Sequence, residues 1–123
     1  MQRARSETEK LEREGSILTA TEILLRQSDY DSMTMQAVAT AAGLAKGTLY
    51  LYFTSRESLV LAVHGRLFDR CIDRFAVHQP ELAGFDGFCR EFARHYADDP
   101  LFVQLAGFAN VLLEPQLDRE AYI

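Results

Sequence analysis

Apolar residues recur along the chain at the three- and four-residue spacing of helices, and no Asn-Gly or Asp-Gly hairpin signal interrupts them. A first helix is predicted from about Ser6 to Gln27, with charged residues early and Ile17, Ala20, Leu24, Leu18 and Leu25 supplying an apolar stripe. Ser28-Asp29-Tyr30-Asp31-Ser32 then breaks the period, Asp29 being a residue that tolerates the left-handed conformation often found where a helix closes. Thr34 is placed to cap a short second helix whose Met35, Val38, Ala39 and Ala42 share one face and whose end Gly43 marks. After Gly43-Leu44 the chain resumes as a third short helix from Ala45 to about Tyr52. This layout of short helix, tight glycine turn and short helix is that of a helix-turn-helix.

The second half repeats the helical period on longer elements. Thr54 with Glu57 reads as a capping box opening a long fourth helix through Leu59, Val63, Leu67, Cys71, Ile72 and Phe75, which Gln79-Pro80 ends. A fifth helix, about Glu81 to Ala97, is expected to bury Phe85, Phe88, Cys89, Phe92 and Tyr96. Asp99-Pro100, a cap followed by a first-turn proline, opens a sixth to about Leu113; Pro115 punctuates, and 118–123 reads as the start of another. The expected fold is all-α.

Composition narrows the picture. At 123 residues with 48% apolar and 25% charged, the chain is globular rather than disordered or disulfide-stapled. No apolar run reaches the length of a membrane span and no secretory signal follows the N-terminus, so a cytoplasmic protein that does not enter membranes is expected. Cys71 and Cys89 are expected reduced and core-packed. The net charge of −5 speaks against a polyanion partner until it is divided: residues 1–56 carry seven basic and seven acidic groups, residues 57–123 six and eleven. From Ser32 through Arg56 there is no carboxylate, while Lys46 and Arg56 both lie there, so this stretch can approach phosphates without repulsion.

On a helical wheel with Leu49 inward, Ala45 and Phe53 fall on the core side, Gly47 and Leu51 lie nearly opposite, and Thr48 and Tyr50 stand on the flanks, with Lys46 at the start. These types suit a helix lying in a major groove: glycine admits close approach and threonine offers a hydroxyl and a methyl. Tyr50 and Tyr52 can donate to phosphates, Lys46 can neutralise one, and Thr34 sits at a helix N-terminus that favours an anion. Ordinary packing of a small helical domain accounts for the tyrosines and leucine about as well. The segments Thr34-Met35-Gln36-Ala37-Val38-Ala39, Ala42-Gly43-Leu44-Ala45-Lys46-Gly47-Thr48-Leu49-Tyr50-Leu51-Tyr52-Phe53 and Ser55-Arg56-Glu57-Ser58-Leu59 resemble the N-terminal signature of the TetR family of bacterial transcriptional regulators over roughly residues 15–60.

The resemblance implies a homodimeric repressor of double-stranded operator DNA, with a helix-turn-helix domain at 1–54 and the N-terminal part of a helical ligand-binding and dimerisation domain at 55–123. A small, largely apolar inducer would release the DNA by shifting the spacing of the two reading heads. It implies that Lys46 holds phosphate, Gly47 and Thr48 approach base edges, Tyr50 and Tyr52 contact backbone, Thr34 fixes the second helix onto a phosphate, and Arg56, where the family often has lysine, adds another phosphate contact. Three positions depart: Ala45 stands at a DNA-facing position where serine is common, Leu51 where a larger side chain is common and so suited to a thymine methyl, and Asp29 in place of a helix-ending glycine. Members continue through further helices, so the regulatory domain is expected to be truncated here.

Seven of the eight phenylalanines follow residue 57, and Phe68, Phe75, Phe88, Phe92, Phe108 and Tyr96 are candidates to line the inducer cavity, though core packing explains most of them equally well. His64 and His78 stand about 21 Å apart on one helix and cannot share a metal. Glu91 and His95 have a two-ligand spacing for which a solvated helix pair is the plainer reading. No catalytic constellation, metal site or cofactor motif is recognisable, so no enzyme is expected. The rival to a regulator is a helical protein-interaction or ligand-binding module that keeps the fold without operator binding.

Overall fold

The computed structural model describes residues 2–78 and 84–113, with side chains over 6–77 and 84–108. It is all-helical among these residues: α1 (Gln2–Gln27), α2 (Met35–Ala42), α3 (Lys46–Tyr52), α4 (Arg56–His78), α5 (Gly84–Ala97) and α6 (Pro100–Leu113). The chain divides into two compact units, residues 1–63 and 64–123. Among the described residues no helix is long and apolar enough to cross a membrane. The expected helical turn over 118–123, the Gln79-Pro80 break and the start of the fifth helix at Glu81 lie outside the described residues.

In the first unit α1 packs on α2 and α2 on α3. The sealed interior is built from Ile17 and Leu25 of α1, Met33 of the following loop, Met35, Val38 and Ala39 of α2, Leu49 of α3, and Leu59, Val60 and Val63 of α4. The stripe read for α1 is half right. Leu18 and Leu24 are only half-buried, while Thr21, a polar residue the apolar pattern passes over, is fully enclosed because its hydroxyl donates back to the Ile17 carbonyl at 2.8 Å. Glu22 is buried beside it and held by Arg26 at 3.0 Å.

Helix ends are set by side-chain caps. Ala37 N–H donates to Thr34 Oγ1 at 3.0 Å, and Gly43 closes α2 at φ 71°, a left-handed conformation that other residues adopt at a cost. Asp29 does not use that conformation: no residue but glycine has positive φ among those described. Instead its carboxylate accepts from Ser32 N–H at 2.9 Å, and bonding to Ser32 holds its pKa below the usual aspartate value. The capping box of α4 is shifted by one residue from the Thr54–Glu57 expectation. Ser58 N–H donates to Ser55 Oγ at 3.1 Å and Ser55 N–H to Ser58 Oγ at 3.2 Å, so Ser55 is the cap and Glu57 is left to accept from the Tyr30 hydroxyl at 3.4 Å.

In the second unit α5 packs on α6. Its interior comprises Leu67, Cys71 and Phe75 of α4, His95 of α5, and Leu101, Phe102 and Leu105 of α6. Asp99 caps α6 as read, accepting from Leu101 N–H at 3.1 Å. Two expectations fail here. Ile72 is partly exposed, and α5 turns Phe85 (78% exposed), Phe88 and Cys89 outward, His95 being its buried residue. Only the far end of α5, at His95, is enclosed.

Candidate nucleic-acid interface

α3 is seven residues long, and its burial follows its helical angle closely. At about 100° per residue the order round the axis is Lys46, Tyr50, Gly47, Leu51, Thr48, Tyr52, Leu49. The first four are exposed, Thr48 and Tyr52 are half-buried, and Leu49 is 0% exposed. One apolar anchor thus fixes the rotation of the helix and turns an arc of Lys46, Tyr50, Gly47 and Leu51 outward. Burying that leucine contributes roughly 1.5–3 kcal/mol.

The ends of α3 depart from the wheel. Ala45 and Phe53 were placed on the core side, yet Ala45 is exposed and Phe53 half-buried. Both are caps in extended conformation, with φ −68° and −136°, so the helical angle does not carry over to them. Ala45 makes no side-chain cap bond, as expected where serine's hydroxyl is missing; its carbonyl accepts from Leu49 N–H at 3.1 Å.

Gly47 is not required by the fold. A Cβ built on it meets nothing within 4 Å, and its φ is not positive. A glycine inside a helix costs about 0.5–1 kcal/mol relative to alanine, and no contact within the chain offsets that cost here. The open space in front of it suits the backbone of α3 to a close approach by something outside the chain.

Thr34 is exposed at the start of α2, and its hydroxyl satisfies one of the free N–H groups there, leaving the dipole and the remaining donors at that end. Arg56, expected to add a phosphate contact, has partners within the chain as well. Its Nη1 donates to the Met33 carbonyl at 3.2 Å and, more weakly, to that of Tyr30 at 3.5 Å, and its guanidinium lies 4.4 Å over the Tyr30 ring. The group fastens the α1–α2 loop to the first turn of α4, so only its other N–H groups remain for an anion. Sequence reasoning missed this fastening, although Tyr30 in a loop of turn formers was its one visible signal.

In the second unit the candidate cavity residues Phe68, Phe75, Phe88, Phe92 and Tyr96 fall into two aromatic clusters. Phe75 meets Phe88 edge-on at 4.9 Å, Phe92 at 5.8 Å and His95 at 6.4 Å; Phe102 meets Tyr96 at 4.8 Å, His64 at 5.3 Å and Phe68 at 6.2 Å. Phe108 is half-buried on α6. Desolvation beside Phe102 lowers the His64 pKa. His95, read as a solvated partner of Glu91, is enclosed, and Glu91 pairs with Arg94 at 2.9 Å. Cys71 is buried as expected and Cys89 is not; both are free thiols. Among the described residues no group of three or more metal-ligating side chains comes together.

Comparison with known proteins places this geometry. The chain is similar to the HTH-type transcriptional regulator AlkX of Mycobacterium tuberculosis, 33% identical over 95 residues, which cover 73% of this chain and 45% of AlkX. It is also similar to the HTH-type transcriptional repressor KstR of the same organism, 42% identical over 69 residues covering 54% of this chain and 31% of KstR, and to KstR of Mycolicibacterium smegmatis, 42% identical over 59 residues covering 48% and 29%. The chain thus spans less than half the length of each of these relatives. Residues 17–63, from the first buried residue of α1 to the last of the first unit, match the family described as bacterial regulatory proteins, tetR family. Over those residues the chain carries a domain that matches the TetR family of transcriptional regulators.

Proposed function

We propose that this chain reads operator DNA as a transcriptional regulator, with 1–54 as the reading domain and 55–123 as the beginning of a regulatory domain. The observation that carries the reading is the exposed arc of α3: Gly47 faces open space where the chain itself asks for no glycine, in a stretch from Ser32 to Arg56 without a carboxylate. In a major groove Lys46 neutralises a phosphate, Gly47 and Thr48 approach base edges, Tyr50 and Tyr52 donate to the backbone, Ala45 and Leu51 make apolar contacts, and the α2 end at Thr34 faces a phosphate, with Arg56 steadying the loop before it. The protein acts as a repressor and as a homodimer, so that two such helices meet two half-sites. Names of relatives support repression.

The regulatory half takes a small, largely apolar inducer against Phe68, Phe75, Phe88, Phe92, Tyr96 and Phe108. Supporting this are the partial exposure of Phe68 and Phe88 and the half-burial of Phe92, Tyr96 and Phe108, which leave ring surface available beyond the packed clusters.

The test is a duplex carrying the DNA upstream of the gene, titrated with the protein over a range of salt. Affinity is expected to fall steeply with salt as contacted phosphates release counterions. Gly47→Glu is expected to abolish binding with helicity and melting retained, because the added side chain meets nothing inside the chain. Retained affinity in that variant rejects the assigned face.

A further inference from the structure

The outward arc of α3 holds few groups that can recognise a purine. Between Lys46 and Tyr52 there is no Arg, Asn, Gln, Asp or Glu, so of the side chains usual in directional bonds to base edges only Lys46 and the Thr48 hydroxyl are present. Directly opposite Leu49 lie a glycine and Leu51, which is 85% exposed. Leu51 is the most exposed of the large apolar side chains among the described residues, and Gly47 beside it has no side chain to cover it. Lys46 lies about 140° round the helix from Leu51, at the rim where phosphates pass. A single exposed leucine is ordinary on a protein surface. This one closes the outward arc on the Thr48 side, about 160° round the helix from the anchor Leu49.

Resting on the DNA reading above, we infer that Leu51 determines specificity by packing on the C5-methyl of a thymine in the major groove. It is the one base-edge group there that an aliphatic side chain recognises. The site read by α3 therefore requires a thymine at that position, with the Thr48 methyl and hydroxyl on the adjoining flank.

The test uses the whole chain to enrich duplexes from a randomised library at low salt. Each enriched thymine is then replaced in turn by deoxyuridine, which lacks only the methyl. At one position in each half-site the affinity is expected to fall about fourfold, the equivalent of one buried methyl, with the salt slope unchanged. The Leu51→Ala chain is expected to stop distinguishing the two duplexes while its circular dichroism and melting match the parent. Deoxyuridine duplexes that all bind as well as the original overturn the inference. So does a Leu51→Ala chain that still discriminates, or an enriched site with no fixed thymine. A chain that binds no duplex in a salt-dependent way fails earlier, at the DNA reading itself, and takes this inference with it.

Discussion

The two units use their apolar residues in opposite ways. The first seals small and aliphatic side chains inside and sets its helix ends with caps at Thr34, Gly43 and Ser55, leaving one short helix with a defined outward arc. The second relies on rings in edge-on contact about Phe75 and Phe102 and leaves Phe85, Phe88, Val77 and Val103 exposed. Charge divides the same way, neutral through residue 56 and acidic beyond. A surface that must present a few atoms in fixed register needs a rigid support, whereas rings that adjust their packing suit a surface that receives something else.

The comparison breaks most sharply at the two anchors. Phe102→Ala is expected to destabilise the second unit by about 3–5 kcal/mol and Leu49→Ala the first by about 2–5 kcal/mol, read by urea unfolding. If the units are separate in stability as well as in packing, each variant moves its own transition; one common transition shifted by both removes the distinction. Thr34→Ala is expected to cost about 1 kcal/mol, the usual value of a lost helix cap, and Thr34→Ser to restore most of it. Gly47→Ala is expected to act in two directions, raising the thermal stability of the first unit by about 0.5–1 kcal/mol while weakening duplex binding. A gain in both overturns the reading of that glycine as a clearance for DNA.

The mildest effect is in pH. All three histidines follow residue 63, and burial lowers the His64 pKa, so the unfolded chain binds a proton more readily than the folded one. The His64 contribution is therefore fully present above the ordinary value of 6.5 and is lost as pH falls from there through the lowered folded value. The second unit should weaken on acidification between pH 7 and 5, and His64→Gln should flatten that slope. The first unit, with no histidine, should not respond until its carboxylates protonate: Asp29, held low by Ser32, loses its contribution only below its usual 3.8.

Legibility in the sequence followed the same division. From Thr34 to Tyr52 the reading holds nearly residue by residue, because cap, left-handed glycine and a single apolar anchor each act within one helical turn. It fails at Ala45 and Phe53, where the chain is already extended and the wheel has no authority. At the start of α4 two overlapping Ser/Thr pairs compete, and the choice between Thr54 and Ser55 is made by hydrogen-bond geometry that sequence spacing does not contain. In α5 the period gives a helix but not which of its rings are covered, since packing between helices decides that and spacing within one does not. The fastening by Arg56 joins residues 23 and 26 positions apart, beyond any local pattern.

The two thiols carry a practical consequence. Cys71 is closed off and Cys89 stands open on α5, so a maleimide or nitroxide reagent applied to the folded protein attaches at one place, in the half with the ring clusters. Such a probe, without any engineered cysteine, reports whether a molecule settling among those rings alters their surroundings.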